Sequence, residues 1–246
     1  MFQYQAPPDL LKNKIVLVTG AGSGLGRAAA LIYAQHGATV ILLGRTEKKL
    51  EATYDGIVKA GGAEPALMVV DLETAGDNEY QEIANTLTNE FGRLDGLLHS
   101  AGTSSATLPL QHISLSSWNK VLQVNLTAGF GLSKYCLPLL LLAPTASLIF
   151  TSSRAGRSTR AYWGAYAVAK HGVETLMEIF HQELQNTSHI RVNSLNPGPC
   201  ATALRKAIFP AENPASLPQP EHLMPLYLYL MGDESLHEQG KQFEAQ

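Results

Sequence analysis

The chain has 246 residues, of which 45% are apolar and 16% charged, so it is long enough to bury a large core. Its net charge of -3 gives no support to a nucleic-acid or anionic-membrane partner, since both would need a basic surface, and neither is expected. The two cysteines, Cys136 and Cys200, lie in no C-x-x-C or histidine-rich setting, so we expect no metal site.

The N-terminus gives no sign of export. Residues 1–9 lack the basic and apolar regions of a signal peptide. The apolar run 137–142 is too short to span a bilayer, which needs about 20 apolar residues. We therefore expect one domain, residues 1–246, in the cytoplasm, acting on a small molecule.

A glycine-rich turn follows the first predicted strand. Residues 14–19 form a short β-branched run, and a helical pattern continues from Arg27 to His36. Strand, glycine turn and helix come in the order that a dinucleotide site requires, with the phosphates at the positive end of the helix. We expect the cofactor to contact the turn through Gly20, Gly22, Ser23, Gly24, Leu25 and Gly26.

The second predicted strand, residues 39–43, ends at Gly44 and Arg45. In dinucleotide sites this corner meets the adenosine ribose, where an acidic side chain would select NAD(H). An arginine can instead pair a 2′-phosphate through two parallel hydrogen bonds. The sequence favours NADP(H) and leaves NAD(H) possible, since Arg45 could merely begin the polar face of the next helix, residues 46–60.

Two later strand ends also face the predicted cofactor. After the strand 66–70, Asp71 either accepts from the adenine amino group, with Leu72 beside it, or caps the next helix, residues 77–92. After the strand 94–99, the small residues Ala101 and Gly102 let the cofactor pass close to the backbone.

Apolar residues recur at helical spacing from Ser114 to Leu142, which predicts one long helix bent near Gly129 or Gly131. Asn125 lies inside it between apolar neighbours, and a buried amide must find partners. It either bonds local backbone or holds a water near the Lys170 ammonium.

The stretch from Ser153 to Lys170 contains a serine, a tyrosine and a lysine. If Tyr166 begins a helix, Lys170 lies one turn later on the same face, where its charge would lower the phenol pKa. Such a tyrosine can pass a proton to or from a substrate oxygen. Ser153, predicted to lie at the end of the buried strand that includes residues 147–152, could bond the same oxygen. The alternative is an ordinary helical pair and a loop serine.

The last third of the chain begins with a strand, residues 189–195, that stops at Asn196-Pro-Gly-Pro199. Thr202 could reach a cofactor carboxamide. Residues 199–220 are rich in proline and are predicted to form a loop that covers the substrate, before a helix at 221–231. Strands alternate with helices throughout, which predicts an α/β fold with a doubly wound parallel sheet.

Together these motifs resemble the short-chain dehydrogenase/reductase family over nearly the full length. The resemblance rests on 19–26, Asn125, Ser153, the Tyr-Ala-Val-Ala-Lys run ending at Lys170 and Asn196-Pro-Gly198. Further details in 40–45, 163–166 and 224–232 are similar to the YciK-like bacterial oxidoreductases within that family.

The resemblance implies a Rossmann-type fold and specific roles. Tyr166 would be the acid/base, Ser153 would orient the carbonyl or alcohol, Lys170 would lower the Tyr166 pKa and hold the nicotinamide ribose, and Asn125 would hold a water. The resemblance also extends the cofactor contacts to Tyr166, Lys170, Pro197, Gly198 and Thr202. It implies a homodimer or homotetramer built on the two long helices, at about 115–142 and 164–186.

The sequence departs from the family pattern at three places. His99-Ser100 replaces the usual Asn-Asn after the fourth strand, and we favour a structural role for His99. The C-terminal strand and tail are shortened. Arg154, Arg157 and Arg160 crowd the segment before Tyr166, which indicates either a solvated loop face or an acidic substrate, the former being favoured.

The leading hypothesis is hydride transfer between NADP(H) and a carbonyl or secondary alcohol. The alternatives are a dinucleotide-binding redox sensor or scaffold without turnover, an NAD(H)-dependent alcohol dehydrogenase, and dehydration or epimerisation with bound NAD. Apolar residues near the predicted site, Tyr162, Trp163, Phe209 and Leu217, favour an apolar or aromatic substrate pocket.

Overall fold

The computed structural model describes all residues from Met1 to Gln246. One sheet of seven parallel strands runs through the molecule in the order β3-β2-β1-β4-β5-β6-β7. This confirms the predicted doubly wound parallel sheet. The strands are β1 Ile15–Thr19, β2 Thr39–Gly44, β3 Ala66–Val69, β4 Gly96–His99, β5 Ala146–Thr151, β6 Ile190–Asn196 and β7 Gln242–Glu244.

Helices cover both faces of the sheet. They are α1 Gly24–Gln35, α2 Glu47–Lys59, α3 Asp77–Phe91, α4 Leu115–Leu122, α5 Ala128–Leu141, α6 Gly164–Leu184, α7 Ala203–Ile208 and α8 Met224–Met231. Within β1, Val16 and Val18 pack with α1 and α8, whereas Leu17 packs with α3, α5 and α6. The central strands β1, β2 and β4 are apolar on both faces because both faces are covered. No helix combines the length and the apolar character needed to cross a membrane.

The predicted long helix from 114 to 142 is interrupted. Its regular parts are α4 and α5, and residues Gln123–Thr127 between them form a π-helical turn that contains Asn125. The irregular turn ends just before Gly129, and Gly129 and Gly131 themselves lie within regular α5. At Gly131 a Cβ would lie 2.3 Å from the Tyr80 ring, so a small residue is needed there for packing against α3.

The segment predicted as an irregular covering loop contains regular structure. Helix α7 occupies 203–208, and Thr202 caps it by accepting a hydrogen bond from the Arg205 amide at 3.1 Å. A short 3-10 turn follows at Pro214–Ser216. The predicted helix 221–231 divides into a 3-10 turn, Pro220–Leu223, and α8.

The carboxyl ends of β1 and β4 define where a ligand can bind. These two strands are neighbours, and the chain leaves them toward opposite sides of the sheet, which opens a crevice beyond their ends. Thr19 closes the floor of this crevice, since its Oγ1 accepts from the amides of Ser100 and Ala101, both at 3.0 Å. The crevice is therefore lined by backbone in a fixed position.

Candidate active site

The glycine turn between β1 and α1 has no room for a side chain at Gly20 or at Gly26. A Cβ at Gly20 would lie 2.9 Å from the Ala101 Cα, and one at Gly26 only 2.5 Å from the Gly20 carbonyl oxygen. Gly20 and Gly24 also adopt positive φ values of 69° and 53°, which favour glycine. The turn thus brings the amino end of α1 against the crevice with its backbone exposed.

A cavity of about 280 Å³ lies along this turn. Its wall includes the end of β2 at Arg45, the end of β3 at Asp71 and the turn after β4 at Ala101. The cavity therefore extends from the glycine turn to each of the strand ends that the sequence assigned to the adenosine half of a dinucleotide. The predicted residues on its wall are Gly20, Gly22, Ser23, Gly24, Leu25, Gly26, Arg45, Asp71, Leu72, Ala101, Gly102 and Thr202.

Arg45 lies on this wall with its side chain 60% exposed. Its Nη1 is 3.7 Å from the Glu73 carboxylate, which is held more closely, at 2.6 Å, by the Lys120 ammonium. The guanidinium is thus only weakly paired and remains accessible to a phosphate. Thr46 and Lys49 line the same corner. Sequence reasoning assigned them only to a helix, although their polar character directly after Arg45 was a usable signal.

Asp71 does not cap a helix. Its Oδ1 accepts from the Glu73 amide at 3.0 Å, whereas α3 begins six residues later behind Gly76, whose amide is bonded by Glu79. The capping interpretation is therefore wrong. Asp71 stabilises its own turn, and its position on the cavity wall keeps the adenine contact as a prediction.

A second cavity, of about 400 Å³, contains Ser153, Tyr166 and Lys170 on its wall. Ser153 does not end the strand, because β5 stops at Thr151. It caps the following 3-10 turn, with its Oγ accepting from the Ala155 amide at 3.2 Å. Tyr166 is the third residue of α6, so Lys170 lies one helical turn later, as predicted.

Lys170 lies close to Tyr166, with its Nζ 5.8 Å from the centre of the phenol ring. The ammonium donates to the Thr151 carbonyl at 2.7 Å. Both side chains are buried. The structure therefore brings together the pair that the spacing predicted and leaves further ammonium protons free.

Burial governs the acid–base properties of this pair. It lowers the pKa of Lys170 to about 8, against the opposing charge of Glu174. It also raises the pKa of Tyr166, while a hydrogen bond from Ser153 and the charge of Arg205 lower it. Among the nearby charges, that of Arg205 therefore opposes the effect of burial on the phenol. That Lys170 lowers the Tyr166 pKa stays a prediction.

Asn125 is bonded by backbone on all sides. Its Nδ2 donates to the carbonyls of Thr103 and Val121, both at 2.8 Å, and its Oδ1 accepts from the Thr103 amide at 3.3 Å. This agrees with the structural interpretation. Asn125 nevertheless shares with Lys170 a small cavity of about 10 Å³, roughly the volume of one water molecule. A role in holding a water there stays a prediction.

His99 is a core residue behind this small cavity. Its Nε2 lies 2.9 Å from the Ser133 Oγ, and its ring stacks on Phe150 at 4.7 Å. Burial, with a smaller effect of the Lys170 charge, lowers the pKa of His99 to about 3. The imidazole is therefore neutral at physiological pH, which supports the favoured structural role.

Pro197 and Gly198 lie on the wall of the second cavity. The Gln246 side chain holds their turn, since its Nε2 donates to the carbonyls of Pro197 and Pro199, both at 2.7 Å. No sequence signal pointed to Gln246, because the contact depends on β7 pairing with β6 at the sheet edge.

The two cavities form one cleft, because they share wall residues beside the glycine turn and the capping threonine of α7. The shared residues are Leu25, Ser100, Gly102, Thr202 and Leu204. A dinucleotide in the first cavity would thus extend its far end into the second, beside Tyr166. The residues present fit an NAD(P) cofactor in this orientation.

The three arginines before Tyr166 do not share one environment. Arg157 is largely buried, and its guanidinium pairs with Glu174 at 2.8 Å and with Glu244 at 2.6 Å. Ser194 donates to the same Glu174 carboxylate. The expectation of a solvated loop face is therefore wrong for Arg157, which ties the active-site segment to α6 and β7. Arg154 and Arg160 are exposed.

Comparisons with known proteins agree with this geometry. The family model for short chain dehydrogenases matches residues 14–213. The oxidoreductase YciK of Escherichia coli K12 is 45% identical over 243 residues, covering 99% of this chain and 96% of its own.

Two solved structures are similarly close. A short chain dehydrogenase from Pseudomonas syringae has a TM-score of 0.98 at 46% identity and covers both chains fully. One from Shigella flexneri 2a, complexed with NADP, has a TM-score of 0.94 at 44% identity, covering 97% of this chain and 99% of its own. The matches, together with the cleft, confirm the resemblance seen in the sequence. The chain is therefore an oxidoreductase that belongs to the short-chain dehydrogenase/reductase family.

Proposed function

We propose that this enzyme transfers hydride between NADP(H) and a carbonyl or secondary alcohol, with Tyr166 as the acid/base. The observation that carries the proposal is the single cleft. Ser153, Tyr166 and Lys170 line its second cavity, and that cavity shares a wall with the cavity along the glycine turn. A sensor that only binds a dinucleotide would need the first cavity alone.

The protein's contribution is to place the substrate and to control a proton. Bound in the cleft, the cofactor supplies a hydride to the carbonyl carbon. Tyr166 Oη donates its proton to the carbonyl oxygen, so that an alcohol and NADP+ result, and the reverse reaction returns the proton to the phenolate. The Ser153 hydroxyl holds the same oxygen in place. A protonated Tyr166 is available at neutral pH because burial raises its pKa.

Lys170 and Asn125 complete the proposed machinery. The Lys170 ammonium, fixed by the Thr151 carbonyl, has protons left to hold the ribose of the nicotinamide. The small cavity between Lys170 and Asn125 gives a water a place from which Tyr166 can be reprotonated through Lys170. Pro197 and Gly198, held by Gln246, face the nicotinamide end, as Thr202 does from the start of α7.

We infer a preference for NADP(H) over NAD(H). Arg45 is the cation at the ribose corner, its only acidic contact is long, and Lys49 lies on the same wall. The Shigella flexneri relative was crystallised with NADP, which supports the same choice. Asp71 and Leu72 would contact the adenine.

We also propose that the chain forms a homodimer or homotetramer through α5 and α6. These helices leave apolar side chains exposed on their outer faces, including Phe130, Val168 and Ile179, each 48% exposed. Sedimentation equilibrium of the wild-type enzyme should therefore give a mass of two or four chains.

The direct test is isotopic. The enzyme is incubated with a panel of ketones and aldehydes and with NADPH deuterated at the transferable nicotinamide position. We expect the deuterium on the carbinol carbon of the product, and slower turnover with NADH. Tight NADPH binding without hydride transfer to any carbonyl would support the sensor alternative instead.

A further inference from the structure

Arg154 and Arg160 lie on the wall of the second cavity, which also contains Tyr166. Arg205 and Lys170 are further cations on that wall, and Glu244 is its only carboxylate. Glu244 is already bound by Arg157 and by the Asn196 amide. Although the whole chain carries a net charge of -3, the substrate side of the cleft is positively charged.

The arginines around this cavity differ in what they bind. Arg157 is paired with Glu174 and Glu244, and both N–H groups of the Arg205 fork reach Glu212, at 2.6 and 2.7 Å. The Arg154 and Arg160 side chains have neither an ion pair nor a hydrogen bond. The two unpaired arginines are therefore the ones available to a ligand.

The chemistry of a guanidinium limits what that ligand can be. Its planar fork matches the two oxygens of a carboxylate or of a phosphate. The rest of the cavity wall is mixed, with polar residues such as Ser158 and Asn196 beside apolar ones. Its aromatic part is centred on Trp163, which packs on both Tyr166 and Phe209 at ring distances below 6 Å. An acceptable substrate would thus have an apolar body, a carbonyl at Tyr166 and an anionic end toward the cavity mouth.

Resting on the proposed carbonyl reduction, we propose that the enzyme selects carbonyl substrates that carry a carboxylate or phosphate, which Arg154 and Arg160 bind. This interpretation replaces the solvated loop face that the sequence favoured for these two residues. The cavity of about 400 Å³, part of which the nicotinamide would fill, restricts the substrate to a small molecule.

The test uses three ketones with one framework: 4-acetylbenzoate, 4-acetylphenyl phosphate and the neutral methyl 4-acetylbenzoate. Each is assayed with NADPH in the wild type, in Arg154→Gln, in Arg160→Gln and in the double variant. Lys206→Gln is the matched control, since it removes a positive charge from exposed α7 outside the cavity wall.

We expect kcat/KM of the wild type to be roughly 100-fold higher for an anionic ketone than for the ester, and about tenfold lower after loss of either arginine. In the double variant, kcat/KM should be equal for the anionic ketone and the ester. The kcat/KM for the ester should not change in any variant, and Lys206→Gln should keep the wild-type preference. The carboxylate and phosphate arms show which anion the two arginines prefer.

A binding measurement separates this inference from the proposed function. Calorimetry of the three ketones with the enzyme saturated with NADP+ needs no turnover. Preferential binding of an anionic ketone that is lost in the double variant supports the inference even if no ketone is reduced. Reduction of all three ketones at equal rates, with equal binding, overturns the inference and leaves the reductase function intact. Failure of both anionic ketones to bind also overturns it.

Discussion

The two halves of the cleft are built differently. The cofactor half consists of backbone at the ends of β1, β2, β3 and β4, with glycines at positions where a Cβ would collide with neighbouring main chain. The substrate half combines the start of α6 with two segments outside the sheet, 153–163 and 197–220, which charged side chains hold in place. Arg157 binds Glu174 and Glu244, and Arg205 binds Glu212.

The cofactor half is therefore defined by the shape of the backbone, and the substrate half by charged side chains. A backbone cradle of this kind would fix where the dinucleotide phosphates lie and would allow little variation. Side-chain ion pairs can be exchanged without changing the sheet, so the substrate half is where specificity can vary. Substitutions in the first half should alter cofactor binding, and those in the second should alter stability, acid–base behaviour or substrate choice.

The largest expected effect is on the buried ion pair of the substrate half. Glu174→Ala removes the buried carboxylate to which Arg157 and Ser194 both donate, and it leaves Arg157 paired only with the exposed Glu244. Removing one partner of a buried pair costs about 3 kcal/mol or more, so the free energy of unfolding measured in urea should fall by that amount.

Lys12→Ala is the control for this loss, because its pair with Asp9 is exposed and spans 3.8 Å. It should cost less than about 1 kcal/mol. A similarly small cost for Glu174→Ala would show that charged contacts do not hold the substrate half.

Gly26→Ala tests the backbone cradle. Its Cβ would collide with the Gly20 carbonyl oxygen at 2.5 Å and displace the turn. Overpacking of this kind costs about 1–3 kcal/mol, so NADPH affinity measured by fluorescence titration should fall by roughly 10- to 100-fold. Gly129→Ala, where the nearest atom is an ordinary 3.5 Å away, should bind NADPH like the wild type. Unchanged affinity in Gly26→Ala would contradict the proposed binding mode.

Arg45→Ala tests the one cofactor contact that depends on a charged side chain. Loss of an exposed guanidinium–phosphate pair should weaken NADPH by about tenfold and NADH by less than about twofold. Lys48→Ala, an exposed cation of α2 outside the cavity wall, serves as the control. Equal weakening of both cofactors in Arg45→Ala would argue for NAD(H).

The smallest expected effect concerns pH. The positive charge of Arg205 lowers the pKa of Tyr166, against the larger effect of burial. Arg205→Gln should therefore raise that pKa. Carbonyl reduction needs the protonated phenol, so the pH at which its rate falls should be higher in this variant. Alcohol oxidation needs the phenolate, so the pH at which its rate rises should be higher as well. Arg205→Lys should retain the wild-type profile. A shift toward lower pH would contradict this assignment.

The glycine turn and the Tyr166–Lys170 pair could be predicted from the sequence, because their signals are local. Glycines between a strand and a helix, and a lysine four residues after Tyr166, determine geometry over a few residues. The main contacts of the substrate half join distant positions. Arg157 meets Glu244 across 87 residues, and Gln246 meets Pro197 across 49. The π turn around Asn125 was also missed, since its apolar spacing is close to that of an α-helix.

We propose that Tyr166 transfers the proton in a cleft that binds the cofactor independently of Tyr166. The most direct measurement is therefore turnover and NADPH affinity of Tyr166→Phe, with a ketone that the wild type reduces. We predict that kcat/KM falls by roughly 1,000-fold, while the NADPH dissociation constant stays within about twofold of the wild-type value. Turnover near the wild-type rate in that variant would show that Tyr166 does not transfer the proton.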